Sequence, residues 1–91
     1  MLKDKLKAFD EIVAEMRVII EKKNNDYGDD NIGMLGERAL FVRIWDKVQR
    51  LKQLVWNAKE LKVSDESIED TLKDLANYSI IQVILRRGQW K

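Results

Sequence analysis

Residues 65–88 read DESIEDTLKDLANYSIIQVILRRG, and this stretch decides the fold class. It contains no proline, and its one glycine is Gly88 at the very end. Acidic residues crowd the start, Arg86-Arg87 close it, and Ser64 or Asp65 offers an N-cap. Anions near an N-terminus, cations near a C-terminus and a terminal glycine are the signals of one long helix. The reading is a helix over residues 65–87, with Ile68, Leu72, Leu75, Ala76, Ser79 and Val83 facing inward.

Working outward, the other glycines, Gly28, Gly33 and Gly36, gather in one place. Glycine disfavours helix interiors, so residues 24–35 are expected to be a loop. Before it, Leu2, Leu6, Phe9, Val13, Met16 and Ile20 recur at spacings of four and three, which predicts a first helix over residues 3–23. After it, Phe41, Ile44, Val48, Leu51, Val55 and Ala58 repeat the period, which predicts a second over residues 36–61. The expectation is all-α: three long helices in an antiparallel bundle, one domain over residues 1–91. Apolar positions outnumber what one face per helix can bury. Trp45 and Trp56 fall on the flank of the second helix, and Ile81, Ile84 and Leu85 fall opposite the expected core face of the third. A homo-oligomer in which subunits complete each other's core is therefore expected.

Composition narrows the chemistry. The chain has 91 residues, 17 Lys+Arg, 16 Asp+Glu, and no His, Cys or Pro. Without Cys or His there is no disulfide, no thiolate or imidazole zinc site and no Ser–His machinery. A net charge of +1 argues against a general nucleic-acid binder. No apolar run suits a membrane span, and the start is charged, so a cytoplasmic protein is expected.

Three polar groupings remain. Glu66, Asp70 and Asp74 recur every four residues with Asn77 in the same sector, on the side away from the expected core face. Carboxylates so spaced can hold Mg²⁺, a hard ion that takes oxygen ligands, or can form a solvated face. Arg43, Lys47 and Arg50 line one edge of the second helix, with Asp46 close by. This edge can bind phosphate oxygens or salt-bridge to the third helix's carboxylates. Tyr27 lies in a polar segment, where it can stack on a base or plug the bundle end. No GxxxxGK[ST] or GxGxxG occurs.

The segments KNNDYG (residues 23–28), RIWDKVQRL (43–51) and DESIEDTLKDLANY (65–78) resemble the KNxDYG, RxxDKxxRL and DESxxDTLxDLANY segments of the nucleotide modification associated domain 1 family. That small all-helical family is common in phages and prophages and is similar to the MazG-like and dimeric dUTPase-like pyrophosphohydrolases. Those are helical oligomers that hold Mg²⁺ with acids and cleave a nucleotide between its α- and β-phosphates. The resemblance implies that Glu66, Asp70 and Asp74 are metal-side, catalytic acids. It implies that Asp46, Lys47 and Arg50 flank phosphates and that Asn24, Tyr27, Asn77 and Tyr78 approach base or sugar. The pattern departs from MazG-like enzymes in one respect. Glu66 and Glu69 form an ExxE, but the next pair is Asp70-x-x-x-Asp74, and the second helix carries no ExxE. The expected function is Mg²⁺-dependent action on a (deoxy)nucleoside triphosphate in the (phage-infected) cytoplasm. The alternatives are a non-catalytic protein that sequesters a nucleotide, and an interaction module that works through Trp45 and Trp56.

Overall fold

The structure, a computed structural model, describes residues 1–27, 36–57 and 65–90. Among them there are helices and no strand: α1 (Leu2–Tyr27), α2 (Gly36–Leu51) running into a π-helical turn (Lys52–Trp56), and α3 (Asp65–Arg86). None of these helices is long and apolar enough to cross a membrane.

The ends follow from local chemistry. α1 continues through residues 24–27, which the sequence reading assigns to a loop; Asn and Asp are neutral rather than prohibitive in a helix, and the first glycine comes only at Gly28. Residues 28–35 and 58–64 lie outside the described residues, as does the candidate cap Ser64. α2 does not stay α-helical to residue 61. At Lys52 the hydrogen bonds widen by one residue, and the Asn57 amide donates to the Lys52 carbonyl at 2.9 Å. Gly88 ends α3 as expected. Its φ is +68°, the Gly88 amide donates to the Leu85 carbonyl, and the Gln89 amide donates to the Ile84 carbonyl, both at 3.0 Å. This pair of bonds is a Schellman cap, which requires a left-handed residue at the position Gly88 fills.

α2 and α3 are the main packed pair. Glu37 bonds Arg86 and Gln82, Arg43 lies near Tyr78, and Lys47 pairs with Asp74, so the two helices run antiparallel. Leu40, 1% exposed, and Ile81, 2% exposed, occupy the same register near one end of this pair. α1 meets α3 over a shorter patch: the Asn77 side-chain amide donates to the Met16 carbonyl at 3.3 Å, and Lys73 pairs with Glu15 at 2.9 Å. Met16 is buried there.

Two helix faces differ from the sequence reading. On α2 the inward line is Leu40, Ile44, Lys47, Leu51 and Leu54, while Phe41, Val48 and Val55 are exposed, a rotation of about 60° at 100° per residue. On α3 the inward line is Thr71, Asp74, Asn77, Tyr78 and Ile81, about 145° from the expected one at 100° per residue; of the expected residues Leu72, Ser79 and Val83 are exposed, while Ile68, Leu75 and Ala76 are half-buried. Ile81 is therefore core, with Ile84 and Leu85 half-buried, and the surplus apolar residues of α3 are Leu72, Ile80 and Val83. The reason is that polar side chains occupy the inner seam. Lys47 lays its aliphatic stem along it and brings its ammonium to Asp74, so apolar periodicity alone selects the wrong sector.

Candidate functional site

Rotating α3 turns its acidic stripe inward at Asp74. This carboxylate stands where all three helices approach one another, with its side chain 19% exposed. Lys23 of α1 donates to Oδ1 at 2.9 Å, and Lys47 of α2 reaches Oδ2 at 3.2 Å. Burial pushes the Asp74 carboxyl up, but the hydrogen bonds and positive charge of Lys23 and Lys47 outweigh it and hold the group below the usual aspartate value.

One turn further along α3 is Tyr78. The Lys23 ammonium lies 5.6 Å from its ring centroid and the Arg43 guanidinium 5.8 Å, both at cation–π distance. Beside the ring, a cleft of about 390 Å³ is lined by Arg43, Asp46, Lys47, Arg50 and Tyr78. Arg43, Lys47 and Arg50 share one side of α2 because they are spaced i, i+4, i+7. Three cations against one carboxylate give the lining a formal charge of +2. A cleft of this size, with forked guanidiniums and an aromatic ring, can take an anion attached to a flat ring system.

The basic edge thus serves both of the roles open to it in the sequence: Lys47 salt-bridges to α3, while Arg43 and Arg50 line the cleft. Of the residues nominated for the ligand, Asp46, Lys47, Arg50 and Tyr78 come together. Asn24 is half-buried near the end of α1. Asn77 is only 5% exposed and is spent on structure: its amide nitrogen holds Met16, and its Oδ1 is buried with no hydrogen-bond partner. The side chains of Tyr27 and Glu66 lie outside the described residues.

Of the expected metal set Glu66, Asp70 and Asp74, only the side chains of Asp70 and Asp74 are described. Asp74 has both oxygens taken by ammonium groups, and Asp70, one turn before it, is exposed. No group of three or more acidic side chains among the described residues is placed to hold an ion. A cation at Asp74 would have to displace the ammonium groups of Lys23 and Lys47.

Two members of the site fall outside the residues that the resemblance nominated. Arg43 was visible as the first residue of the basic edge. Lys23 stands first in the KNNDYG segment, but its role was not legible, because nothing local connects it to Asp74, 51 positions later.

A family model described as nucleotide modification associated domain 1 matches residues 23–85, a span that contains every residue of this site. No curated protein and no solved structure matches the chain.

Proposed function

Because the chain belongs to the nucleotide modification associated domain 1 family, we propose that it binds a nucleotide by the phosphates in the cleft of α2 and α3. The observation that carries this reading is the lining itself: Arg43, Lys47 and Arg50 around Tyr78 in about 390 Å³. Arg43 and Arg50 fork onto phosphate oxygens and Lys47 adds a point charge. Tyr78 offers its edge and ring to the base, and Asp46 accepts a hydrogen bond from a sugar hydroxyl or a base amino group. Binding needs no more than these groups. Cleavage between α- and β-phosphates also needs an activated water, and the bridged state of Asp74 supports capture of the nucleotide over hydrolysis.

Self-association belongs to the same proposal. Apolar side chains stay exposed on every helix, Leu2, Leu6 and Phe9 of α1 among them, and a second copy of the chain gives those of α1 cover.

Calorimetric titration with nucleoside mono-, di- and triphosphates tests the reading, with and without Mg²⁺, followed by analysis of the recovered nucleotide. Affinity is expected to rise with phosphate number, and the nucleotide is expected back intact. Arg43→Ala and Arg50→Ala should each weaken binding about 10- to 100-fold, the range for a lost charge-assisted hydrogen bond. Equal affinity for nucleosides and nucleotides would sink the proposal. Release of pyrophosphate would replace sequestration by hydrolysis.

A further inference from the structure

The apolar stripe of α1 is a heptad seam, in which Leu2, Leu6, Phe9, Val13, Met16 and Ile20 alternate at four and three. Its two halves have different surroundings. Met16 is buried and Ile20 half-buried where α1 packs on α3, a patch tied by the Met16–Asn77, Glu15–Lys73 and Lys23–Asp74 bonds. Leu2, Leu6 and Phe9, on the same line, are 69%, 52% and 63% exposed, and Val13 marks the boundary. The exposed half is therefore the continuation of a packed interface, and it lacks only a helix to lie against it.

We infer that this helix is the same segment of a second copy, with the N-terminal halves of α1 pairing antiparallel across a two-fold axis between Lys7 and Ala8. The inference rests on the self-association proposed above and adds its surface and direction. With the axis there, Leu6 faces the partner's Phe9 and Leu2 faces the partner's Val13, so large apolar side chains fill every layer. Lys3 and Asp10 flank the seam on one edge, each following a Leu2- or Phe9-type position. Antiparallel pairing sets Lys3 beside the partner's Asp10, and symmetry makes the pair twice. A parallel pair would bring both molecules to the same end, where each α1 is already covered by its own α3. The antiparallel pair directs them apart.

The chain exposes more surface than a compact fold of its mass. The chain has 7505 Å² of accessible surface at 10.8 kDa. A compact monomer of that mass has about 5,500 Å², whereas a stable interface removes about 800 Å² from each partner. The surplus exceeds what one such interface removes, and Leu2, Leu6 and Phe9 supply part of it.

The chain has no cysteine of its own, so single cysteines report the pairing cleanly. Leu6→Cys and Phe9→Cys proteins, mixed and oxidised, should cross-link mainly as unlike pairs. In sedimentation velocity the wild-type chain should run as a dimer, and Lys3→Glu and Asp10→Lys should each weaken it several-fold. The double variant, in which the charges are exchanged, should restore it. Lys3 and Asp10 are exposed, so neither change threatens the fold, which far-UV circular dichroism verifies. Dimers that cross-link like with like, or not at all, would overturn the seam while leaving self-association standing. A monomer at every concentration would overturn both. None of these results depends on nucleotide, so failure of the nucleotide reading leaves them unchanged.

Discussion

Replacing Asp74 by Asn removes one charge and disturbs two ion pairs. Lys23 and Lys47 approach the carboxylate at 2.9 and 3.2 Å, their side chains 41% and 27% exposed against 19% for Asp74. An exposed pair contributes at most about 1 kcal/mol, and cutting a buried one costs about 3–5 kcal/mol. The geometry here lies nearer the first case, because both ammoniums reach water. Two pairs lost therefore cost about 2 kcal/mol, or about 8–16 °C in Tm for a domain of this size. Asp70→Asn, one turn away and exposed, is the control and should stay within about 0.5 kcal/mol. Urea unfolding measured across pH then tests the cause. The folded carboxyl titrates below its ordinary value, near 3.9, so its stabilisation is fully present above that pH and disappears as the pH falls through the folded value. The gap between wild type and variant should thus hold from pH 7 to about 5 and close in acid. Freeing Lys47 should also strengthen phosphate binding in the cleft several-fold, in Mg²⁺ buffer and in buffer containing a chelator alike. If Asp74 were a metal ligand, Asp74→Asn and Asp70→Asn would weaken binding together. That joint loss, or a stability gap that widens on acidification, would refute the reasoning.

Other expectations follow from the packing. Ile81→Ala should cost about 2–5 kcal/mol in chemical denaturation, and Val83→Ala less than about 1, which reverses the order that apolar periodicity alone assigns. Asn77→Asp should destabilise more than Asn77→Ala at pH 7, because it sets a carboxylate against the Met16 carbonyl, and acid should narrow the difference. Gly88→Ala should lower stability by about 1 kcal/mol through backbone strain alone, since its φ is +68° and no atom lies within 4 Å of an added Cβ. Raising salt from about 50 to 500 mM should weaken nucleotide binding markedly while lowering Tm by no more than the loss of the Lys23–Asp74–Lys47 pairs does, because the cleft is charged and open to ions and the Leu40–Ile81 core is not.

Helix existence was legible because it depends on local signals. The glycine cluster, the uninterrupted four-and-three spacing and the Arg86-Arg87-Gly88 ending each act within a few residues. Helix rotation was not legible. Thr71, Asp74 and Asn77 turn inward because each finds a partner or cover on another helix, and a single sequence carries no record of the Lys23–Asp74 or Met16–Asn77 meeting. The apolar residues of α3 are spread over both faces, so the period that fixes α1 says little about α3. The site was legible in part. The edge Arg43, Lys47, Arg50 is a local spacing and reached the cleft as a unit, whereas the carboxylates expected to hold a metal depend on what the opposing helices present.

The bonds that hold α1 also set a timetable for synthesis. Met16 and Asn77 are 61 positions apart, and Lys23 and Asp74 are 51. At about 5–20 residues per second, the ribosome finishes α1 about 3–12 s before α3 exists to receive it. During that interval both halves of the seam are bare, and the N-terminal half stays so after α3 has closed on Met16. If the proposed pairing of α1 holds, neighbouring nascent chains on one message would offer each other this half-seam first, and the pairing would begin before either chain is complete.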